Sequence, residues 1–181
     1  MKWITRIVLI VVALAAVLAL AGLLLPRTVS VERTTTINAP RPAVFALVNG
    51  FTSFNAWSPW FALDPQAKYS YAGPASGVGA KMSWVGDPGS MGSGSQEILE
   101  SHPYDRVVTS VDFGLKGTSK LVFTLDQAGQ GTHVTWRMDT DLGMNPLTRY
   151  VGIMLDRMVG GDFERGLANL KKLAEGVPPA S

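Results

Sequence analysis

An uninterrupted apolar run at residues 7–25 constrains this chain more than any other feature of its sequence. A helix of these 19 residues would be about 29 Å long, which is close to the hydrocarbon thickness of a bilayer. The core helix of a soluble protein does not need apolar side chains on every side. Pro26 ends the run and Arg27 follows it. We therefore predict a single-pass membrane anchor over residues 1–27.

A cleaved signal peptide is the alternative interpretation of this start. Lys2 and Arg6 would form its charged region, and residues 19–21 have the small-x-small form of a cleavage site. The apolar part of a signal peptide usually has about 7 to 15 residues, however, so the length of this run favours a retained anchor in the cell membrane. Basic residues nearly balance across the run, and Lys2 and Arg6 mildly favour a domain on the extracytoplasmic, periplasmic side.

The charge of the chain after the anchor excludes one class of partner. The formal net charge is +2, but without Lys2, Arg6 and Arg27 the chain has 13 basic and 14 acidic residues. A nucleic-acid partner is therefore not expected, because such a partner requires a basic stripe on the folded domain. The absence of cysteine excludes disulfides, thiolate nucleophiles and cysteine metal sites. We predict one domain at 28–176, which is long enough for a real core, and a tail at 177–181.

Polar and apolar residues alternate with a period of two over most of the predicted domain. Short strands separated by turns that contain glycine or proline are typical of an antiparallel meander with one covered face. Two short helices are predicted before and after Gly50, between the first strand and the second. The predicted strands are 29–37, 68–71, 80–85, 93–101, 106–113, 119–126 and 132–139.

A long helix is predicted from about Asn145 to Glu175, and its apolar residues form two stripes that do not line up. The second stripe is rotated from the first by somewhat more than about 100° around the helix axis. A kink or π-type bulge at Gly160 and Gly161 would bring the stripes into register. Alternatively, two helical segments pack on different neighbours. The first stripe is Leu147, Val151, Met154 and Met158, and the second is Phe163, Leu167, Leu170 and Ala174.

The covered face of the sheet and the first stripe of the helix are predicted to oppose each other. They either pack directly as a core or leave a cavity for a hydrophobic ligand, and the residue pattern by itself favours packing. Trp57 and Trp60 could fill the core, lie at a lipid interface or border a pocket. The predicted ligand-binding residues are Trp57, Trp60, Met82, Trp84, Ile98, Phe113, Phe123, Trp136, Met138, Val151, Met154 and Met158.

No catalytic constellation is visible in the sequence, and no metal or cofactor is expected. His102 and His133 lie far apart and lack the spacing of metal ligands. If the domain were an enzyme, Arg106, Tyr69 or Tyr71 would be the polar groups available to orient a substrate in the cavity.

Several motifs along the chain carry a resemblance to a known family. They are INAPRPAVF at 37–45, WSPW at 57–60, the glycine-bearing segments 71–74, 77–80, 92–94 and 131–136, and MVGGDFERGLANLK at 158–171.

With the order of the predicted elements, these motifs resemble the SRPBCC superfamily, which has the helix-grip fold of START domains and birch-pollen allergens. The similarity is strongest to its bacterial polyketide cyclase/dehydrase-like group, whose members share the N-terminal apolar helix. The resemblance implies an α+β fold in which a curved antiparallel sheet of about seven strands surrounds a long C-terminal helix. It also implies a hydrophobic cavity between the sheet and the helix.

The resemblance does not select one function, because this fold serves lipid transfer, hormone binding, aromatic cyclisation and chaperone regulation. We favour a membrane-tethered domain that binds or transfers lipids or other hydrophobic small molecules. The alternatives are a polyketide cyclase/dehydrase-like enzyme and a module that binds another envelope protein. No oligomeric state is predicted.

Overall fold

A computed structural model describes residues 2–114 and 117–176 of the chain. The predicted tail at 177–181 lies outside these residues. The helices are α1 (Lys2–Leu24), α2 (Arg41–Val48), α3 (Phe51–Asn55) and α4 (Arg149–Ala174), and the strands are β1 (Thr28–Ile37), β2 (Lys68–Ala72), β3 (Lys81–Val85), β4 (Ser93–His102), β5 (Arg106–Asp112), β6 (Thr118–Ala128) and β7 (Gly131–Asp141).

The seven strands form one antiparallel sheet in the order β1-β7-β6-β5-β4-β3-β2. Each strand from β2 to β7 pairs with its neighbour in sequence, and β1 joins the far edge by pairing with β7. The pairing of β4 with β5 shifts between Ile98 and Glu100, and such an irregularity bends a strand and increases its twist. The predicted α+β helix-grip fold, with its meander and its long C-terminal helix, is confirmed.

One face of the sheet, which we call the inner face, carries the apolar side chains predicted to share it. Register pairs place Met138 beside Val31 and Leu121, and Trp136 beside Phe123. The inner-face residues predicted to contact a ligand are buried except for Phe113, which is 37% exposed. The period-two pattern therefore identified the covered face, because residues two apart in a strand point to the same side.

Helix α4 is α-helical without interruption and has a single buried stripe from Gly152 to Leu170, so the predicted π-type bulge at Gly160 and Gly161 is wrong. The members of this buried stripe lie within about 120° of one another around the helix axis. Three of them are glycines, which the hydrophobic pattern did not count. The buried stripe consists of Gly152, Gly160, Phe163, Gly166, Leu167 and Leu170.

The first apolar stripe of the helix does not face the sheet, and that prediction is also wrong. Leu147, Val151, Met154 and Met158, which we call the outer stripe, are between 48% and 60% exposed. They lie about 150° around the axis from the buried stripe. No second helical segment is needed to explain the two stripes, because only one of them is buried.

The glycines of the buried stripe are sites of close approach. A Cβ atom on Gly160 would collide with the guanidinium of Arg33, and one on Gly166 would lie 2.8 Å from the indole of Trp136. The Arg33 side chain passes Gly160 to bind Glu164 and Asp156, each at 2.8 Å. These ion pairs join β1 to α4, and their hydrogen bonds lower the pKa of the Asp156 carboxyl.

Helix α1 contains one stretch, Trp3–Leu24, that is long and apolar enough to cross a membrane. Its last turns contact the beginning of α4. Arg149 Nη1 donates hydrogen bonds to the carbonyl oxygens of Leu23 at 3.0 Å and Leu25 at 3.1 Å. The Tyr150 hydroxyl donates to the carbonyl oxygen of Leu18 at 2.8 Å. Arg149 thus supplies donors for carbonyls that a helix leaves unpaired at its C-terminus.

A two-pronged ion pair joins the chain after α1 to the end of β7. Arg27 Nε lies 2.9 Å from Asp141 Oδ1, and Arg27 Nη2 lies 2.6 Å from Asp141 Oδ2. The Gly143 amide also donates to Asp141 Oδ1 at 2.8 Å. The Arg27 hydrogen bonds, together with that amide, lower the pKa of Asp141 to about 2.

The close packing of α4 predicts opposite effects for two neighbouring glycines. Gly166→Ala should lower the free energy of unfolding by about 1–3 kcal/mol, because the new methyl group must displace the buried Trp136 indole. Gly161→Ala should raise it by about 0.5–1 kcal/mol, because a Cβ there meets no atom within 4 Å and alanine favours a helix. Denaturant unfolding of the full chain in detergent, followed by tryptophan fluorescence, measures both. Destabilisation by Gly161→Ala would contradict a continuous α4.

The Arg27–Asp141 ion pair predicts a measurable pH dependence. Because the folded pKa of Asp141 is below its ordinary value of 3.8, the stabilisation is complete above that value and is lost as the pH falls towards 2. NMR titration of the full chain in micelles should give a midpoint of about 2 for this carboxyl. Arg27→Gln should move the midpoint back towards 3.8. A midpoint that does not respond to Arg27→Gln would show that the ion pair does not form.

Candidate ligand-binding site

The structure brings together nine of the twelve residues predicted to line a ligand cavity. Seven lie on strands or strand ends of the inner face, and Trp57 and Trp60 lie in the segment after α3 that packs on it. The other three belong to the outer stripe of α4 and point away from the sheet. The nine are Trp57, Trp60, Met82, Trp84, Ile98, Phe113, Phe123, Trp136 and Met138, and the three are Val151, Met154 and Met158.

At one end of the inner face, the helix and the sheet meet directly. The Trp136 ring is stacked between Phe163 of α4, at a centroid distance of 4.1 Å, and Phe123 of β6, at 5.0 Å. Trp57 packs edge-on against Trp136 at 5.4 Å. These rings interdigitate at the spacing of a protein core. The space that the family resemblance implies between helix and sheet is filled at this end.

The other end of the inner face is covered by residues 56–67, which we call the cover segment, and not by α4. The segment contains no helix or strand. It begins in the aromatic cluster with Trp57 and reaches β2, where Phe61 packs on Tyr69 at a centroid distance of 5.1 Å. It ends near the β3–β4 turn, where the buried carboxylate of Asp64 accepts a hydrogen bond from the Asp87 amide at 2.7 Å.

A few hydrogen bonds hold the cover segment to the helices around it. Trp60 Nε1 donates to Asp162 Oδ2 of α4 at 3.1 Å. The Asn169 side chain donates to the carbonyl oxygen of Trp57 at 3.2 Å. Trp57 Nε1 donates to the carbonyl oxygen of Leu47 in α2 at 3.0 Å. The first half of the segment is therefore fixed to α2 and α4. Its second half is held by the contacts with β2 and the β3–β4 turn described above.

Trp84 lies on the inner face of β3, one strand in from the edge strand β2. Its ring lies over Gly94 of β4, where a Cβ atom would collide with it. The half-exposed Phe113 packs edge-on against it at 6.2 Å. Trp84 is only 7% exposed, and its Nε1 atom has no hydrogen-bond partner among the described residues. An unpaired buried donor costs about 1–3 kcal/mol, so this N–H would gain from an acceptor.

Two hollows on the described surface are lined by residues other than the predicted ligand-binding residues. One, of about 200 Å³, lies between β1 and the second half of α4 beside Thr35 and Leu167. The other, of about 230 Å³, lies beside Phe51 and Tyr71. Both are smaller than the roughly 300 Å³ at which pockets for small ligands begin. A larger molecule would therefore not fit either of these two hollows as they stand.

The polar residues considered for catalysis do not converge. Arg106 lies on the outer face of the sheet, because its neighbour Val107 pairs with Phe123 on the inner face, so its predicted place in the cavity is wrong. Tyr69 and Tyr71 are on the inner face, opposite Trp84 and Met82. Burial raises the pKa of Tyr69, which keeps its hydroxyl neutral. In residues 2–114 and 117–176, no three histidine or acidic side chains are grouped as metal ligands.

Trp57 and Trp60 were predicted as site residues, but the rest of the cover segment and its anchor Asp162 were not identified from the sequence as parts of the site. The aromatic spacing of Trp57, Trp60 and Phe61 signalled a packed segment, but a single sequence does not indicate which surface an irregular segment covers. Asp162 directly precedes Phe163, the buried ring that stacks on Trp136. An acidic residue directly before an apolar aromatic residue in a predicted helix was the signal that could have indicated Asp162 as a hydrogen-bond acceptor near the core.

Known structures share this architecture across nearly their whole length. Protein CV1439 from Chromobacterium violaceum is 19% identical and has a TM-score of 0.53, with 83% of this chain and 98% of that chain covered. The Aha1 dimer from Colwellia psychrerythraea is 14% identical with a TM-score of 0.56, covering 81% and 96%. Ara h 8.0201 is 14% identical with a TM-score of 0.56, covering 79% and 97%. At these identities the likeness establishes the fold alone.

The sequence itself shows the family. No curated protein sequence matches the chain. Residues 28–175 match the family model described as polyketide cyclase / dehydrase and lipid transport. This match covers most of the chain and confirms the resemblance on which the fold was predicted. The chain therefore belongs to the polyketide cyclase/dehydrase and lipid transport family, and its fold is the helix-grip fold of the SRPBCC superfamily.

Proposed function

We propose that this protein is a membrane-tethered domain that binds lipids or other hydrophobic small molecules on the inner face of its sheet. The domain occupies residues 28–176, and residues 1–27 anchor it in the cell membrane, with the domain on the extracytoplasmic side. The family description, which includes lipid transport, supports a hydrophobic ligand.

The observation that carries this proposal is the irregular cover segment at the β2 side of the inner face, where Phe61 packs on Tyr69, the register partner of Trp84. Segments without regular secondary structure open at lower free-energy cost than packed helices and strands. A ligand that displaced the second half of the cover segment would reach Met82, Trp84 and Phe113 without disturbing the stack around Trp136. In this proposal the ligand takes the place of the cover segment on the inner face, so the fold does not need a preformed cavity.

An unpaired polar group on the inner face indicates the chemistry of the ligand. The unpaired Trp84 N–H would donate to an acceptor such as the carboxylate or ester oxygen of a lipid. The surrounding side chains would cover the hydrocarbon part. Burial of about 300 Å² of apolar ligand surface at about 25 cal/mol per Å² offers on the order of 7 kcal/mol before the costs of association.

The anchor gives this site direct access to its ligands. A domain held beside the bilayer meets lipids at the high local concentration of the membrane. The outer stripe of α4, with Val151, Met154 and Met158, follows Arg149 and Tyr150, whose side chains contact the end of the anchor. These three residues do not line the inner face and are not part of the proposed binding surface.

Loosening the cover segment should be detectable directly. Asp162→Ala removes the acceptor of the Trp60 N–H and should cost about 1 kcal/mol locally, so amide hydrogen exchange should become faster in residues 60–67. Glu164→Ala is the matched control, because it removes an acidic side chain of the same helix that binds Arg33. Mass spectrometry of deuterium uptake in the full chain measures both. Equal exchange in the two variants would show that Asp162 does not hold the cover segment.

Ligand binding should depend on the inner face and not on the outer one. Phe113→Arg places a charge beside Trp84 and should weaken binding of the fluorescent fatty acid cis-parinaric acid about tenfold or more, about 1.4 kcal/mol. Val85→Arg is the matched control, because Val85 follows Trp84 but is exposed on the opposite face. Energy transfer from tryptophan to the probe measures binding by the full chain in detergent.

Native mass spectrometry after mild extraction tests the proposal independently of the probe. The expected result is a bound lipid or other hydrophobic molecule that Phe113→Arg depletes. A protein that is extracted empty and binds no fatty-acid or lipid probe would overturn the proposal and favour the protein-interaction alternative. Recovery of a chemically altered probe would favour the enzyme alternative.

A further inference from the structure

The outer stripe of α4 is an apolar surface that the fold leaves unused. Met154 lies about 180° around the helix from the buried Phe163, and it is 58% exposed. Leu147, Val151 and Met158 lie on the same side, and the exposed Met144 precedes them. Scattered exposed apolar residues are ordinary, but a contiguous stripe indicates an interaction surface.

The contacts between α1 and α4 fix where this surface lies. The Tyr150 hydroxyl binds the carbonyl oxygen of Leu18, six residues before α1 ends at Leu24. At about 1.5 Å per residue, this carbonyl is about 9 Å along the axis from the end of the helix. Gly22 packs so closely on Pro146 that a Cβ atom there would overlap with it. The start of α4 therefore lies beside the last two turns of α1.

The length of α1 places these contacts within a bilayer. The apolar stretch of 22 residues is about 33 Å long, only about 3 Å more than the hydrocarbon core of a bilayer. A helix that crosses this core has Leu18 at least about 6 Å below the hydrocarbon surface. Tilting the helix brings still more of its residues into the core. The Tyr150 side chain reaches this depth, so the backbone at the start of α4 lies at the level of the headgroups.

We propose that residues 144–158 form a second membrane contact, in which the outer stripe lies in the headgroup region of the bilayer next to the anchor. This proposal rests on the proposed function, because it requires α1 to cross the membrane. Amphipathic helices in an interface bury their apolar face about 5–10 Å deep, which agrees with the depth of the Tyr150 contact. Tyrosine is also typical of this level of the membrane.

The bilayer fits the outer stripe better than a protein partner does, because Pro146, Arg149 and Tyr150 at the start of the stripe contact the membrane helix. Arg157 borders the outer stripe, about 60° around the axis from Met154, and is exposed, so its guanidinium can reach phosphate groups while its stem lies beside the apolar surface. Methionine adapts to an irregular surrounding such as lipid. A second copy of the chain is the other possible occupant, and the experiment distinguishes it.

The absence of cysteine allows the depth of single positions to be measured. Nitroxide labels are attached to Met154→Cys, Leu14→Cys and Lys120→Cys in the full chain, which is reconstituted in vesicles of phosphatidylcholine and phosphatidylglycerol. Leu14 reports on the anchor, and Lys120 is an exposed control on the outer face of the sheet. Power saturation compares the accessibility of each label to oxygen and to a water-soluble nickel chelate.

The expected result is that nickel accessibility at Met154 is about threefold or more below that at Lys120, as for a side chain below the headgroups. Leu147→Asp together with Met158→Asp should raise the accessibility at Met154 to the level of Lys120, while Leu14 remains protected. Both substitutions are at exposed positions, so the fold should tolerate them.

Three results would overturn the proposal. If Leu14 is protected but Met154 is as accessible as Lys120, the anchor stands and the second membrane contact does not. If Leu14 is accessible as well, α1 does not cross the bilayer, and the tether of the proposed function fails with it. If Met154 labels show spin–spin broadening that disappears on dilution with unlabelled chain, the outer stripe is an interface between two copies.

Discussion

The close packing of α4 against β1 and β7 through glycine is the constraint on which the rest of the structure depends. Gly160 and Gly166 bring the helix backbone close to Arg33 and Trp136. This close approach determines which face of the helix is buried. The glycine-containing face packs on the sheet, although larger apolar side chains lie on the opposite face. Phe163 can then stack on Trp136 at 4.1 Å, which closes one end of the molecule.

A helix held this tightly to one edge of the sheet leaves the opposite part of the inner face to another element. The cover segment takes this place, and Trp60 and Asp64 connect it to α4 and to the β3–β4 turn. The two halves of the molecule therefore differ in kind. The half around Trp136 is a closely packed aromatic core, and the other half is the apolar inner face beneath the irregular cover segment. The proposed binding function needs both properties, because the domain must stay folded while a ligand exchanges.

The sequence predicted the sheet and the extent of the long helix well, but it did not predict which residues of the first half of that helix are buried, and the reason is physical. Alternation along a strand directly reports which side is covered, so the positions of Trp84 and Trp136 on one face followed from parity. In α4, however, the buried positions include residues with no side chain. A hydrophobic pattern treats glycine as neutral, whereas close approach of two backbones depends on the tertiary structure. The motifs of the family supplied the fold, but they implied a cavity where the rings of Trp136 and Phe163 fill the space.

The hydrogen bonds from Arg149 to the end of α1 have a consequence for the range over which this protein can operate. Only residues 25–27 separate α1 from β1, and the guanidinium joins the two bodies at the carbonyls of Leu23 and Leu25. The domain is thus held at a fixed angle to α1 and is not connected to it by a flexible linker. With α1 in a membrane, as proposed, the domain would diffuse in the plane of that membrane, and a protein that exchanges a ligand with it would have to come to that plane.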